Sequence, residues 1–180
     1  MKIGIISDTH GDIVQTKKAL SILKDCEYII HCGDVLYHGP RNDLPKNYNP
    51  KDLALYLSEL DNIIYIRGNC DSDVDEMVMK KDLSHKSRLL ELDGHTIFAI
   101  HGYEEIEQER IKKAEGLKAN IIVSGHTHIK ILKKVNNLII INPGSTTIPK
   151  DGSSSVAKID GNVVELIDLE KNTTIKKLDI

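Results

Sequence analysis

The feature that most constrains the fold of this chain is a series of short apolar runs, each of which stops at a polar stretch that contains glycine. Ile3 to Ser7 forms the first run, which ends at Asp8-Thr9-His10-Gly11. The second run, Tyr28 to Cys32, ends at Gly33-Asp34. Short continuous apolar runs bounded by turn residues are typical of strands that are buried on both faces of a sheet. The sequence therefore predicts buried strands that are followed directly by polar residues.

Helical spacing of apolar residues separates these runs. Val14 to Lys24 shows this spacing, and Asp12 is placed to cap the start of the helix. Pro50 to Leu60 predicts a second helix, and the run Ile63 to Ile66 that follows it ends at Gly68-Asn69. Strands that alternate with helices in this way predict a parallel sheet.

The second half of the chain adds antiparallel strands. Arg88 to Leu92 and His95 to Ile100 flank Asp93-Gly94, a pair of residues that a type I′ hairpin turn favours. Similar turn signals occur at Asn136-Asn137 and at Asp160-Gly161. The predicted fold is therefore α/β and layered, with two mixed sheets.

A third helical segment and a long loop complete the predicted elements. The charged segment Glu104 to Lys118 predicts a helix, and the strand Ile121 to Ser124 after it ends at Gly125-His126-Thr127-His128. Val35 to Asn49 predicts a loop without regular structure, and loops of that length tend to be functional. A chain of 180 residues is long enough for one sizeable core, so we expect residues 1–180 to form one domain.

Metal-binding side chains follow the ends of the apolar runs. The set is Asp8, His10, Asp34, Asn69, His101, His126 and His128. Residues just beyond the carboxyl ends of strands converge on one crevice in open α/β sheets, so we expect these side chains to become neighbours. Imidazole and carboxylate ligands suit Mn, Fe, Zn or Ni, and a carboxylate bridges two cations better than a neutral ligand does. Asp34 is the candidate bridge.

Two divalent cations in one crevice predict hydrolysis of phosphate esters. Such a pair can activate a bridging water as hydroxide and stabilise the charge that develops on a phosphoryl group. Each fragment of the pattern is weak alone, because D-x-H or G-H-x-H occurs by chance. The joint occurrence of all the ligand types, in order and at strand ends, is what makes metal binding the firm prediction.

Composition and charge exclude several partners. The formal net charge of -3 gives the chain no general attraction to nucleic acid or to an anionic membrane. Three cysteines without a C-x-x-C pair favour reduced thiols in the cytoplasm. The sequence shows no export signal and no long apolar span, so no membrane anchor is expected. The expected partner is a small-molecule phosphate ester, and self-association as a dimer or tetramer stays open.

Several blocks of this sequence resemble one family. DTHGD, CGDVLYHGP, RGNCD, HG at 101 and 102, GHTH and NPGS are similar to the calcineurin-like metallophosphoesterases, and in particular to the YfcE-like phosphodiesterases of bacteria and archaea. The resemblance covers nearly the whole chain. It implies a four-layer α/β/β/α sandwich that carries a dinuclear metal site, with Mn²⁺ the favoured metal and Zn²⁺, Fe²⁺ or Ni²⁺ suited to the same ligands.

The resemblance also implies roles for individual residues. One metal ion would be bound by Asp8, His10, Asp34 and His128. The other would be bound by Asp34, Asn69, His101 and His126. The implied catalytic residues are Asp34, Asn69, Cys70 and His101.

Position 70 departs from the family pattern, because many members have His there and this chain has Cys70. A thiol is mostly protonated at neutral pH and could donate a proton, but it lacks the positive charge of an imidazolium. The alternative interpretation of Cys70 is a small, partly buried residue that serves packing alone. The missing positive charge favours a phosphodiesterase over a phosphomonoesterase or nucleotidase, and the complete ligand set disfavours a non-catalytic scaffold. A phosphomonoesterase or nucleotidase would be expected to carry His at position 70, and a non-catalytic scaffold, such as the retromer-type subunit of the same fold, would be expected to lose ligands.

The sequence leaves two interpretations open for each of two further residues. Arg41 in the long loop either contacts a phosphate through its guanidinium or lies on the surface. His31 is interpreted as a strand residue, with a role in supporting a metal ligand as the alternative.

Overall fold

The computed structural model describes all 180 residues and contains four helices and eleven strands. The helices are α1 (Ile13–Ile22), α2 (Pro50–Ser58), α3 (Asp73–Met79) and α4 (Glu107–Gly116). The strands are β1 (Lys2–Ile6), β2 (Tyr28–His31), β3 (Ile63–Tyr65), β4 (Ser87–Leu92), β5 (His95–Ile100), β6 (Ile121–Val123), β7 (Lys130–Val135), β8 (Leu138–Pro143), β9 (Ser155–Asp160), β10 (Val163–Asp168) and β11 (Thr173–Asp179).

The strands form two mixed sheets. The first has the order β11-β10-β9-β1-β2-β3, and the second has the order β4-β5-β6-β8-β7. In the first sheet β1, β2 and β3 are parallel, with Ile5 opposite Ile30 and Ile30 opposite Ile64. In the second sheet β5, β6 and β8 are parallel. The carboxyl ends of the parallel strands in each sheet lie at a common edge, which is where the polar turns begin.

Three apolar clusters hold the layers together. Between the sheets lie Ile5, Ile30 and Ile121, all without solvent exposure. Successive side chains of a strand point to opposite faces, so Ile122 packs instead in the cluster that contains Ala114 of α4. A third cluster joins the outer face of the first sheet to α1 and α2. The predicted four-layer α/β/β/α sandwich with two mixed sheets is confirmed.

The structure differs from the sequence predictions at two elements. Helix α3 was not predicted, because it has seven residues and an acidic first turn, too short to show an apolar period. Its start is fixed instead by a capping box in which Ser72 and Asp75 exchange hydrogen bonds. Strand β11 was not predicted either, because it is an edge strand with almost every residue exposed and has no apolar run.

The predicted helices are present, but each spans fewer residues than predicted. The charged helix α4 begins at Glu107 and not at Glu104, because the Glu109 carboxylate accepts a hydrogen bond from the Ile106 backbone N–H at 3.2 Å and closes the first turn. None of the four helices is long and apolar enough to cross a membrane. The extent of one domain over residues 1–180 stays a prediction.

The predicted long loop runs from the end of β2 to the start of α2. The loop forms an isolated antiparallel β-bridge, in which Tyr48 pairs with Asp12. The Asp12 carboxylate caps α1 by accepting from the Gln15 N–H at 2.9 Å, which confirms its predicted role. It also accepts from the Asn47 N–H at 3.3 Å, so one side chain ties the helix to the loop.

Truncation of a central side chain should show how much the packing between the sheets contributes to the free energy of unfolding. We expect Ile121→Ala, at a fully buried position, to lower the free energy of unfolding by about 2–5 kcal/mol, because it leaves a cavity between packed layers. Val74→Ala on α3, where the side chain is 60% exposed, is the control and should change it by less than about 0.5 kcal/mol. Urea unfolding measures both; equal effects would contradict the layered core.

Candidate metal centre

The predicted metal-binding side chains meet in one crevice at the carboxyl ends of the parallel strands. Three groups of three have ligand atoms within 4.8 Å of one another. The first group is Asp8, His10 and His128, the second is Asp34, His101 and His126, and the third, His10, Asp34 and Cys70, lies between them. Asn69 lies beside the second group, with its Oδ1 atom 3.2 Å from His101 Nε2. The structure therefore places all seven of these residues at a single site.

The first group directs the Nε2 atoms of two histidines at one another. His10 Nδ1 and His128 Nδ1 each lie 2.8 Å from a backbone carbonyl, of Tyr37 and Ile148 respectively. A carbonyl only accepts, so each Nδ1 carries the hydrogen and each neutral ring has its lone pair on Nε2. The two Nε2 atoms are 3.2 Å apart, and His128 Nε2 lies 3.2 Å from Oδ1 of Asp8, a buried oxygen with no hydrogen bond. This arrangement fits a cation.

The second group repeats this arrangement around Asp34. His101 Nδ1 donates to the Cys32 carbonyl, so Nε2 is the ring nitrogen that faces Asp34 Oδ2 at 3.3 Å and Asn69 Oδ1 at 3.2 Å. The other oxygen of Asp34, Oδ1, accepts from the Cys70 N–H at 2.8 Å, which fixes the carboxylate. Oδ2 of Asp34 is also 3.9 Å from His10 Nε2. One carboxylate oxygen therefore faces both groups.

The pKa values at the site show how strongly it favours positive charge. Burial lowers the pKa of His101, but the hydrogen bond to Asp34 and the charges of Asp8 and Asp34 outweigh it and raise that pKa to about 9. Burial raises the pKa of Asp34, but the hydrogen bond and charge of His101 hold it well below its usual range. Burial lowers the pKa of His10 and of His126. Burial also acts to lower the pKa of His128, but the hydrogen bond and the charge of Asp8 outweigh it and raise that pKa. A proton on His101 competes with a cation for the same oxygens.

Most of the candidate ligands have an unusual backbone conformation. Positive φ angles occur at Asp8 (55°), His10 (44°), Asp34 (58°), His126 (66°) and His128 (59°). This left-handed region is uncommon for residues other than glycine and costs about 1–2 kcal/mol per residue. The surrounding hydrogen bonds must hold these turns, and such strain is typical of functional sites.

Two glycines allow the turns to approach one another. A Cβ atom on Gly68 would lie 2.1 Å from Asp34 Oδ1, and one on Gly125 would lie 2.0 Å from Ser7 Oγ and 2.9 Å from Asp8 Oδ2. Real side chains do not come this close. Any larger residue at either position would displace a candidate ligand.

Asp71 supports the turn that carries Asp34. Its carboxylate accepts from the backbone N–H groups of Asp34 at 2.9 Å, Val35 at 2.7 Å and Gly68 at 2.7 Å. Burial raises its pKa to about 6, and the three N–H groups oppose that rise. The sequence indicated only that an acidic residue follows Cys70, since these partners are distant along the chain.

The loop after β8 supports both sides of the first group. Ser145 Oγ donates to the Asp8 carbonyl at 2.7 Å and accepts from the N–H groups of Thr147 at 3.1 Å and Ile148 at 2.9 Å. The Ile148 carbonyl in turn orients His128. The NPGS block was the signal for this loop, although the sequence analysis assigned no role to its serine.

His31 has a supporting position. The Gly33 N–H donates to its Nδ1 atom at 3.2 Å, so its Nε2 carries the hydrogen and donates to Thr9 Oγ1 at 3.0 Å. That hydroxyl donates to the Val35 carbonyl at 2.8 Å. Burial lowers the pKa of His31 to about 3, so the ring is neutral. It is the last residue of β2, and it links the turns that carry Asp8 and Asp34.

The crevice has a volume of about 340 Å³ and is open to solvent. Arg41 and Lys150 line it and bring two positive charges to it. Arg41 was predicted as a candidate phosphate contact. Lys150, which lies just after the NPGS loop, was not predicted. Cys70 also lines the crevice, and burial, followed by the charge of Asp34, raises the pKa of its thiol to about 12. The thiol is therefore neutral.

Fold and ligand set together define a class of metal-dependent phosphoesterases. The model of the Calcineurin-like phosphoesterase superfamily domain matches residues 1–162. The chain is 32% identical to phosphodiesterase YfcE of Escherichia coli K12 over 188 aligned positions, which cover 100% of this chain and 98% of that protein. The chain belongs to the calcineurin-like phosphoesterase superfamily, so the predicted family and the predicted class, a phosphoric ester hydrolase, are confirmed.

Solved structures agree with this assignment. The structure of the phosphoesterase YfcE from E. coli superposes with a TM-score of 0.88 and 30% identity, covering 100% of both chains. Wild-type Vps29 from Entamoeba histolytica complexed with Zn²⁺ superposes with a TM-score of 0.70 and 17% identity, covering 99% of both chains. The second likeness is one of fold alone.

Substitution of Asp71 should test the support of the Asp34 turn. We expect Asp71→Asn to lower the free energy of unfolding by about 1–3 kcal/mol, because an amide places a donor against one of three N–H groups. Mn²⁺ affinity should fall about tenfold to one hundredfold. Asp73→Asn, at a side chain that is 94% exposed, is the matched control. Urea unfolding and metal titration measure both variants; unchanged Mn²⁺ affinity in Asp71→Asn would show that the turn does not need this carboxylate.

Proposed function

We propose that this chain is a metal-dependent phosphodiesterase that binds two divalent cations, with Asp34 bridging them. One observation carries this proposal: Oδ2 of Asp34 lies 3.3 Å from His101 Nε2 and 3.9 Å from His10 Nε2, so it faces both groups of ligands. An anionic oxygen between two clusters of lone pairs is what a pair of cations requires. The relative YfcE, which is 32% identical, is a phosphodiesterase by its name, and this supports diesterase activity for the chain.

The proposed ligands divide as the two groups do. The first cation would be held by Asp8, His10, Asp34 and His128. The second would be held by Asp34, Asn69, His101 and His126. Mn²⁺ is the proposed metal because the donors are mixed oxygen and nitrogen, and Zn²⁺, Fe²⁺ and Ni²⁺ suit the same donors.

The residues of the chain orient the site for reaction at phosphorus. When bound, two cations supply an activated water and stabilise the charge that develops on the phosphoryl group. The carbonyls of Tyr37 and Cys32 fix the rings of His10 and His101, so that each Nε2 faces the crevice. Asn69 directs its Oδ1 to the same point.

Cys70 favours diesters over monoesters. Its pKa of about 12 keeps the thiol protonated, so it adds no positive charge beside the phosphate. A diester carries one negative charge at its phosphate and needs less compensation than the dianion of a monoester. Comparing the hydrolysis of bis(p-nitrophenyl) phosphate with that of p-nitrophenyl phosphate separates these activities, and faster monoester hydrolysis would favour the phosphomonoesterase.

The scaffold alternative needs a test of turnover. Metal binding alone does not distinguish a scaffold from an enzyme. The full set of ligands in one open crevice supports catalysis here. A cytoplasmic location and self-association as a dimer or tetramer stay predictions.

Substitution of the bridging carboxylate should remove the activity. We expect Asp34→Asn to lower kcat/KM for bis(p-nitrophenyl) phosphate with Mn²⁺ by at least about one hundredfold, because a neutral amide bridges two cations poorly. Asp61→Asn, at a side chain that is 97% exposed, is the matched control and should keep full activity.

Two results would contradict the proposal. Wild-type protein that hydrolyses no phosphodiester with any of the four metals is not the proposed enzyme. An Asp34→Asn variant as active as Asp61→Asn would show that Asp34 does not bridge.

Metal binding should release a proton from His101. Its pKa is raised to about 9, so between pH 7 and 9 the metal-free ring is protonated and must lose the proton before it binds a cation. The apparent Mn²⁺ affinity should therefore rise by about tenfold per pH unit over this interval and level off above it. Calorimetric titration in two buffers with different ionisation enthalpies measures the proton directly. An affinity that is flat over this interval would contradict the release of a proton from His101.

A further inference from the structure

A second cavity adjoins the metal crevice. It has a volume of about 540 Å³, and we call it the tyrosine groove. Its walls include Leu36, Tyr37, Tyr48, Ala54, Cys70 and Val78. Most of this lining is hydrophobic, and the two tyrosines pack edge-on against the ring of His38, with centroid distances of 4.8 Å and 5.2 Å.

The tyrosine groove and the crevice of the proposed metal site share a lining residue. Cys70 lines both cavities, and its Sγ atom lies within 4.8 Å of the ligand atoms of His10 and Asp34. Tyr37 connects the cavities a second time, because its carbonyl orients His10 while the residue forms a wall of the groove. A group attached to a phosphate in the crevice therefore needs only a short path to reach the groove.

The two cavities differ in the chemistry that they accept. Apart from Pro40 and Cys70, the crevice is lined by glycine and by polar or charged residues, which suit a phosphate but offer an organic group little apolar contact. A phosphodiester carries two organic substituents as well as its charged oxygens. The groove is the adjoining surface that can remove such a substituent from water, and its aromatic rings suit another aromatic ring.

We propose that the tyrosine groove binds an aromatic substituent of the phosphodiester whose phosphate lies in the crevice. The inference rests on the proposed function and narrows the substrate class to diesters that carry an aromatic group. Cys70, a small residue, is the one side chain that lines both the groove and the crevice.

Val78 and Met77 provide a matched pair of variants on α3. Val78 lines the groove and is 48% exposed, whereas its neighbour Met77 is 69% exposed and lines none of the described cavities. Val78→Glu places a carboxylate in the groove, and Met77→Glu adds the same charge to the same helix outside it. Both positions are exposed enough for the fold to persist, and urea unfolding checks this.

Phenylphosphonate and methylphosphonate are the probes, because they share a phosphonate and differ in the organic group. Each is tested as a competitive inhibitor of bis(p-nitrophenyl) phosphate hydrolysis by the Mn²⁺-loaded protein. We expect phenylphosphonate to inhibit the wild type about tenfold to one hundredfold more strongly than methylphosphonate. This ratio should fall to less than about threefold in Val78→Glu and stay at the wild-type value in Met77→Glu.

The outcomes separate this inference from the proposed function. Equal inhibition of the wild type by the two phosphonates, or the same ratio in Val78→Glu and wild type, would overturn the groove assignment while leaving the phosphodiesterase intact. If the wild type shows no metal-dependent hydrolysis, the proposed function fails. The groove is then tested by the NMR signals of the Val78 methyl groups, which phenylphosphonate should shift and methylphosphonate should not; no shift with phenylphosphonate would overturn the inference.

Discussion

One electrostatic constraint underlies the crevice: lone pairs of imidazole nitrogens and carboxylate oxygens face one another at 3.2–3.9 Å with too few hydrogens between them. Such a cluster is stable only when positive charge lies within it, as a proton or as metal ions. In the metal-free protein the raised pKa of His101 keeps a proton on this ring, and that proton supplies the positive charge. The left-handed turns, the close approach at Gly68 and the three N–H groups on Asp71 all serve to hold the donors in this arrangement.

Much of the architecture could be predicted from the sequence, because the candidate metal-binding residues directly follow the apolar runs that form the strands. The apolar runs that stop at Asp8 and Asp34 indicate both the buried strands and the residues beyond them, and the hairpin turn at Asp93-Gly94 indicates the antiparallel strands. The structure confirms these elements. Helix α3 and strand β11 could not be predicted, because a capping box starts the first and pairing with β10 holds the second, while neither has an apolar pattern of its own.

The candidate site could be predicted less completely than the fold. Its ligand types are visible in the sequence, and the structure brings those side chains together. The roles of Asp71 and Ser145 were not visible, because each depends on backbone groups that are distant along the chain, such as the Val35 N–H and the Asp8 carbonyl. The tyrosine groove was equally hidden, since the loop and α3 form it only in the folded chain.

The central claim is that Asp34 bridges two cations, and anomalous diffraction from a crystal soaked in Mn²⁺ tests it most directly. The account predicts two anomalous peaks about 3.5–4 Å apart, with a carboxylate oxygen of Asp34 contacting both. One peak alone, or two peaks of which only one contacts Asp34, would contradict it.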